Sequence, residues 1–247
     1  MSIWRSGTFQ YSFIDASSRR RRRQKAMTKR ATISLFFDVV SPYAWIGFES
    51  LTRYRTVWPI ELKLRPYYLG GVMRATGNKP PMLVPAKGMQ MAKDLDYQKK
   101  YWGIPLNAPS DPFNSMITKG TLLPQRFLTA VNEDAPDFLE AAARELWMRI
   151  WSRDEPIDTI DNLKEVAKKI GLPDADKIIG RCNDEKVKQK LTDTTQEAVA
   201  SGAFGAPWIV LDVDGKQHCF WGSDRLHIIA DLIGEQFPGP LLEKSKL

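Results

Sequence analysis

The segment ATISLFFDVVSPYAW, residues 31–45, decides the fold. Apolar residues alternate along the chain from Ile33 to Phe37, which predicts a largely buried β-strand. Ser41 and Pro42 follow after a short loop, and serine is a good N-cap while proline is pre-organised for the first helical position. The sequence therefore predicts a strand that leads directly into a helix.

A second strand follows the predicted helix. Apolar residues keep a helical spacing to about Val57, and Ile60, Leu62 and Leu64 then alternate with charged residues. Strand, helix and strand within ~35 residues form a βαβ unit, whose two strands run parallel.

The end of the sequence returns to β-structure. Residues 208–213 form an apolar run, an Asp-Gly pair follows as a strong hairpin signal, and residues 217–221 supply the return strand. Ser223 and Asp224 are predicted to cap a final helix that ends at Gly234.

The long middle section has helical periodicity and no strand signal. Apolar residues repeat at helical spacing around residues 138–150, 163–170 and 191–199. Residues 70–87 are predicted to form a loop, because they are rich in glycine and proline.

These patterns combine into an α/β fold class. A discontinuous thioredoxin-like βαβ…ββα domain, residues 32–68 and 203–240, is interrupted by a helical insertion domain, residues 69–202. Residues 241–247 form a C-terminal tail.

The net charge of +7 belongs to the amino-terminal segment. Residues 1–30 hold nine lysines or arginines against one acid, Asp15, so the remaining residues sum to −1. A nucleic-acid-binding domain would spread basic residues over a folded face, so we expect no nucleic-acid partner. Residues 1–31 are predicted to be a basic, disordered tail. An arginine-rich mitochondrial presequence, a nuclear-type basic run and an extension ahead of an internal start at Met27 are the alternatives.

The composition also excludes membrane-spanning and metal-binding classes. No stretch approaches the ~18 apolar residues that a spanning helix needs. Two cysteines, Cys182 and Cys219, provide no disulfide framework and cannot form a tetrahedral zinc site alone. With only two histidines beside them, no metal is expected, and we interpret both cysteines as packing or incidental residues.

Ser41 is the first candidate for chemistry. Its hydroxyl group is placed where backbone N–H groups of a helix N-terminus point outward. Thioredoxin-fold oxidoreductases hold the first cysteine of a C-x-x-C motif at this place, whereas this sequence reads SPYA from Ser41 to Ala44, which excludes dithiol redox chemistry. The alternative is that Ser41 is an N-cap and nothing more.

Pro207 is the second candidate, because it directly precedes the third strand. Thioredoxin-fold proteins place a cis proline there, opposite the active-site helix, and a cis X–Pro bond is an uncommon and specific feature. Such a bond leaves the backbone of Ala206 free to pair with an extended peptide. The alternative is an ordinary trans proline at the start of a strand.

Six motifs, in order between about Ile33 and Phe237, resemble the kappa-class glutathione transferases. They are DVVSPYAW at 38–45, GNKPP at 77–81, RFLTAV at 126–131, ELWMR at 145–149, AFGAP at 203–207 and GSDR at 222–225. Each motif alone is weak, whereas six in register are highly specific. The bacterial 2-hydroxychromene-2-carboxylate isomerases share the fold and the opening serine, but the sequence is more similar to the transferases.

The resemblance implies that Ser41 is the catalytic residue, donating a hydrogen bond to the sulfur of glutathione and stabilising its thiolate. It also implies that the backbone of Ala206 pairs with the cysteinyl segment, although the family usually has a larger apolar residue there. The residues implied to bind glutathione are Ser41, Pro42, Tyr43, Asn78, Ala206, Pro207, Ser223 and Asp224, with the last two at the γ-glutamyl end. Lys87 is a further implied partner, for the glycyl carboxylate.

The function implied by the resemblance is conjugation of glutathione, the co-substrate, to electrophilic or peroxidic small molecules by a homodimer. A thiol with a pKa of ~8.5 is only slightly ionised at neutral pH, and a helix N-terminus plus a hydroxyl donor lower that pKa. Two alternatives stay open: a glutathione-dependent isomerase of the 2-hydroxychromene-2-carboxylate type, and a non-enzymatic module that binds glutathione or a partner protein.

Ser245, Lys246 and Leu247 form a tripeptide that serves as a peroxisomal address at a carboxyl terminus. We therefore expect a peroxisomal location. The basic segment before residue 31 keeps a mitochondrial location as the alternative.

Overall fold

The computed structural model describes residues 31–247, which pack as one compact unit. Its sheet has the order β2-β1-β3-β4, in which β1 and β2 are parallel while β3 is antiparallel to both of its neighbours. The four strands are β1 (Ala31–Phe37), β2 (Ile60–Pro66), β3 (Trp208–Val213) and β4 (Lys216–Trp221). The predicted βαβ…ββ pattern is confirmed, and the predicted tail lies outside the described residues except for Ala31, which begins β1.

Nine α-helices accompany the sheet in residues 31–247. They are α1 (Pro42–Tyr54), α2 (Leu69–Thr76), α3 (Pro85–Trp102), α4 (Leu122–Asp134), α5 (Leu139–Ser152), α6 (Ile160–Ile170), α7 (Ala175–Gly180), α8 (Glu185–Ala200) and α9 (Leu226–Leu232). Short 3₁₀ turns cover Pro81–Leu83, Pro136–Phe138, Arg181–Asn183 and Leu242–Lys244, and a π-helical turn covers Asn114–Lys119. The chain between β2 and β3 contains helices and no strand, as the periodicity predicts. None of the helices described is long and apolar enough to cross a bilayer.

Strand β1 is buried on both faces, which explains its apolar sequence. Ile33, Leu35 and Phe37 join the main core beneath α1. Phe36 points to the opposite face, where it packs with residues such as Tyr67 in a second cluster. Helices therefore cover both sides of this strand.

The turn between β3 and β4 is also as predicted. Asp214 and Gly215 have φ angles of 53° and 75°, and positive φ at both central positions suits the right-handed twist of a hairpin. The strands that this turn joins pair from Trp208 with Trp221 to Val213 with Lys216.

The predicted loop over residues 70–87 is wrong, because α2 and the start of α3 occupy most of it. Helix α2 forms despite two glycines, since a β-carbon on Gly71 would lie 3.1 Å from Thr195 Cγ2 of α8. The small residue allows the two helices to approach closely, and Val72 is fully buried in their contact. Packing here overrides the low helix propensity of glycine.

A buried ion pair joins α1 to the inserted helix α5. Glu49 is 1 % exposed and accepts hydrogen bonds from Arg144 Nε at 2.8 Å and from Trp45 Nε1 at 3.1 Å. The guanidinium group of Arg144 also lies over the ring of Phe48. The insertion thus contacts α1 through charge as well as through its core. The boundaries of the two domains, at residues 68 and 203, stay a prediction.

Candidate active site

Ser41 is the N-cap of α1, as predicted. Its Oγ accepts a hydrogen bond from the Ala44 N–H at 3.1 Å, and its side chain is buried at the strand–helix junction. The hydroxyl hydrogen is directed across the site to the Ala206 carbonyl oxygen at 3.4 Å, which is long for an O–H···O bond. A stronger acceptor placed between the two elements would take this hydrogen readily.

The peptide bond between Ala206 and Pro207 is cis, as predicted. A β-carbon on Gly47 of α1 would lie 3.4 Å from Pro207 Cγ and 3.7 Å from Ser223 Cβ. The first turns of α1, the cis proline and the segment before α9 therefore meet at one place. The fold thus brings together residues that lie more than 160 positions apart in the chain.

Asn78 reaches the same loop from the other side. Its Nδ2 donates to the Phe204 carbonyl at 2.6 Å, and the Tyr67 hydroxyl donates to the Gly205 carbonyl at 2.8 Å. These bonds fix the backbone that leads into the cis proline. Asn78 is therefore adjacent to Ala206 in space, as the implied site requires.

Tyr43 lies in the first turn of α1 and is half-buried. Its hydroxyl donates to Asp94 Oδ2 of α3 at 2.8 Å. Burial, the hydrogen bond to Asp94 and the charge of Asp224 together hold the pKa of Tyr43 well above its ordinary value, so the phenol stays protonated. Asp94 is a functional neighbour that the sequence did not reveal, because its partner is 51 residues away.

The predicted cap at Ser223 and Asp224 is wrong. Helix α9 begins at Leu226 with Arg225 as its N-cap, and no side chain caps it. Gly222 has a φ of 92°, and the Asp224 side chain folds back so closely that a β-carbon on Gly222 would lie 2.6 Å from Asp224 Oδ1. Asp224 forms an ion pair with Arg225, whereas Ser223 is buried beside the cis proline.

Lys87 lies in the first turn of α3 with an exposed side chain. Lys87 and Asp94 lie on the same helix, α3, and Asp94 accepts the hydrogen bond from Tyr43 of α1. Its role toward a carboxylate stays a prediction.

The inserted helices hold the loop that presents Ser41. Trp147 Nε1 donates to the Ser41 carbonyl at 3.2 Å, and Trp151 Nε1 donates to the Val39 carbonyl at 3.3 Å. Both tryptophans come from α5 and are fully buried. Two indole N–H donors from α5 therefore hold the backbone around Ser41 in place.

Gln125 of α4 likewise donates hydrogen bonds to backbone carbonyl groups, at the point where β1 and β2 separate. Its Nε2 donates to the Phe37 carbonyl at 2.8 Å and to the Tyr67 carbonyl at 2.6 Å. The Tyr67 N–H also donates to the Phe37 carbonyl at 3.1 Å. One buried amide thus closes the end of the parallel ladder.

Asp38 accepts from the backbone N–H groups at this same junction. One carboxylate oxygen bonds the Val40 N–H at 3.0 Å and the other bonds the Leu69 N–H at 2.9 Å. The side chain is fully buried, and this burial raises the pKa of Asp38 from 3.8 to about 6 against the opposing effect of hydrogen bonds from Val40, Leu69 and Thr121.

The two cysteines take no part in this site. Cys182 is buried, and this burial raises the pKa of its thiol to about 11. Cys219 is exposed on β4, and partial burial raises its pKa as well. Among residues 31–247 no group of three or more His, Cys, Asp or Glu side chains is arranged to hold a metal ion.

Comparison with known proteins identifies the family. A family model for the DSBA-like thioredoxin domain matches residues 32–234. Glutathione S-transferase kappa 1 of Homo sapiens is 46% identical over 212 residues, which are 85% of this chain and 94% of the human protein. The chain belongs to the kappa class of glutathione S-transferases. The kappa-class resemblance of the six motifs is thereby confirmed, and so is the thioredoxin-like fold.

The isomerases are more distant from this kappa-class chain. The 2-hydroxychromene-2-carboxylate isomerase of Sphingobium xenophagum is 27% identical over 207 residues, covering 82% of this chain and 97% of the isomerase. A solved structure of a 2-hydroxychromene-2-carboxylate isomerase superposes with a TM-score of 0.68 at 18% identity, covering 82% of this chain and 94% of that one. The second comparison shows a shared fold alone.

The free energy of unfolding should depend on pH because of Asp38. Its pKa is higher in the folded protein than in the unfolded chain, so the folded state holds this proton more tightly. Its contribution to stability is therefore present below about pH 4 and is lost as the pH rises through 6. Relative to Asp38→Asn, the free energy of unfolding of the wild type should fall by ~2 kcal/mol between about pH 4 and pH 7. Denaturant unfolding of both proteins across this range measures the difference, and parallel curves would contradict it.

Proposed function

We propose that this kappa-class protein binds glutathione at the junction of α1, the cis proline and the segment before α9, and that Ser41 stabilises its thiolate. The observation that carries the proposal is the Ser41 hydroxyl group. It accepts from the Ala44 N–H and keeps its own hydrogen available toward the space beside Ala206. A sulfur in that space would lie at the positive end of α1 and would receive this hydrogen.

The proposed chemistry is attack of the thiolate sulfur on a small molecule. At an electrophilic carbon a C–S bond forms and the leaving group departs with its electron pair. At a peroxide oxygen an S–O bond forms as the O–O bond breaks, and the departing oxygen takes the electron pair and a proton from water. A thiolate is the nucleophilic form of a thiol, and each lowering of its pKa by one corresponds to ~1.4 kcal/mol of stabilisation. The Ser41 hydroxyl and the N-terminus of α1 supply this stabilisation without a general base.

The remaining residues suit the rest of the tripeptide. The Ala206 backbone before the cis bond can pair with the cysteinyl unit, as an added strand pairs with an edge. Ser223 offers a hydroxyl group and Asp224 a carboxylate to the γ-glutamyl end. Asn78 and Lys87 lie on the side of α2 and α3, where the glycyl end would extend. Pro42 and Tyr43 line the sulfur position from α1.

The second candidate is a glutathione-dependent isomerase of the same fold, favoured by the similarity to the Sphingobium xenophagum protein. The higher identity to human glutathione S-transferase kappa 1 favours the transferase. Glutathione conjugation to an aryl halide, measured beside turnover of a chromene carboxylate, separates the two. A glutathione binding isotherm without either turnover would instead support a binding module.

We also propose a homodimer located in peroxisomes. Ser245, Lys246 and Leu247 form the address, and Leu247 is 43% exposed. Leu247→Asp should abolish peroxisomal signal of a protein tagged at its amino terminus, while Lys244→Asp should retain it, as fluorescence microscopy with a peroxisomal marker would show. Both variants keep Ser245 and Lys246, which bond Arg53 and Glu140. Peroxisomal signal for Leu247→Asp, or mitochondrial signal for the wild type, would contradict this location.

Ser41→Ala should raise the pKa of the thiol of bound glutathione by about 1–2, because a hydrogen bond to a charged sulfur is worth roughly 1.5–3 kcal/mol. Thiolate absorbance titrated with pH in both proteins measures this. Ser41→Thr retains a hydroxyl group and should therefore raise the thiol pKa by less than Ser41→Ala does.

The control for Ser41→Ala is Thr159→Ala, which removes the N-cap of α6 far from the site. Both variants should lose ~1 kcal/mol of stability through the lost cap. Thr159→Ala should leave the thiol titration unchanged. An unchanged titration in Ser41→Ala would remove Ser41 from the catalytic role.

Asp224→Asn should weaken glutathione binding by about 5- to 150-fold, because a carboxylate accepts hydrogen bonds from the α-ammonium group that a neutral amide accepts only weakly. Asp224 is exposed and caps no helix, so the fold should survive. Calorimetry with glutathione and with an analogue lacking the α-amino group measures the difference, which should be much smaller for the analogue. Asp231→Asn, on the exposed side of α9, is the matched control. Equal weakening for both ligands would exclude Asp224 from binding the ammonium group.

A further inference from the structure

Asp38 occupies a position that the proposed chemistry does not use. It is fully buried beneath the loop that presents Ser41, and its two oxygens bond two backbone N–H groups from different elements. Val40 directly precedes Ser41, whereas Leu69 is the first residue of α2. One carboxylate therefore connects the β1–α1 loop to α2.

Helix α2 links Leu69, which Asp38 bonds, to Asn78 at the end of the helix. Its N-cap, Tyr68, makes no side-chain capping bond, so Asp38 supplies the acceptor for the Leu69 N–H, one of the donors left free at a helix N-terminus. The helix has eight residues and ends at Gly77 in the left-handed conformation, and Asn78 follows directly. A shift at Leu69 is thus carried along one short helix to Asn78.

We propose that Asp38 is a positioning residue that sets Ser41 and Asn78 relative to each other, so that one buried carboxylate couples thiolate stabilisation to binding of the rest of glutathione. This inference rests on the proposed function. A carboxylate offers one acceptor oxygen to each of the two N–H groups. An asparagine side chain has one acceptor oxygen and turns an NH₂ group toward the second N–H.

The test compares Asp38→Asn with Glu49→Gln. Glu49 is a second buried acid on α1, and its carboxylate bonds the side chains of Arg144 and Trp45 instead of backbone N–H groups at the β1–α1 loop and α2. Both variants make the same chemical change. Three readouts are taken: amide hydrogen exchange of Val40 and Leu69 without ligand, affinity for S-methylglutathione, and the pKa of the thiol of bound glutathione.

Asp38→Asn should speed exchange at Val40 or Leu69, weaken S-methylglutathione binding about tenfold and raise the thiol pKa, reducing the thiolate present at neutral pH several-fold. Glu49→Gln should lose stability but leave all three readouts as in the wild type. Should Asp38→Asn fail to fold, Thr121→Val removes a buried hydroxyl group that favours the charged form of the same carboxylate, and it should cause a two- to threefold loss in both ligand readouts.

Each outcome decides between defined alternatives. If the wild type binds neither glutathione nor S-methylglutathione, the proposed function is wrong and this inference falls with it. If the wild type binds both and Asp38→Asn binds and ionises glutathione equally well, the inference alone is wrong. A change in only one of the two ligand readouts would also overturn it, because coupling requires both.

Discussion

Buried backbone groups at the ends of β1 and β2 impose the constraint on which the rest of this structure depends. The chain leaves the two strands there for α1 and α2. Backbone N–H and C=O groups of these connections lie inside the protein without strand partners, and an unpaired polar group there costs ~1–3 kcal/mol. Asp38 accepts from the N–H groups, and Gln125 donates to the carbonyl groups. Ser41 follows this junction directly in the chain.

The helices inserted between β2 and β3 therefore support the backbone of the segment that ends at Ser41. Gln125 comes from α4, while Trp147 and Trp151 come from α5. Each donates to a carbonyl of the loop from Phe37 to Ser41. Two layers joined in this way restrict the motion of Ser41, which is what a hydrogen-bond donor to a developing charge requires.

Local signals made much of this arrangement predictable from sequence. The N-cap at Ser41 and the Asp-Gly hairpin turn each depend on a few adjacent residues, whereas the cis bond at Pro207 is predicted from its place in a thioredoxin-like fold. The errors arose where distant partners decide. Helix α2 needs Thr195 as a close neighbour of Gly71, and the segment at Asp224 turns back over Gly222 before α9 begins. The Tyr43–Asp94 bond and the donors Gln125 and Trp151 likewise depend on contacts that no local pattern encodes.

The charges around Tyr43 connect the binding of glutathione to the ionisation of its thiol. Burial raises the pKa of Tyr43, and Asp94 and Asp224 raise it further, so a thiolate placed beside this phenol would experience the same desolvation and negative field. The Ser41 hydroxyl and the N-terminus of α1 must offset that field before they can favour the thiolate. In the proposed complex, the α-ammonium group of glutathione adds a second positive partner to Asp224, which already pairs with Arg225. The γ-glutamyl end then further offsets one of the charges that oppose ionisation of the cysteinyl end, and the substrate contributes to its own activation.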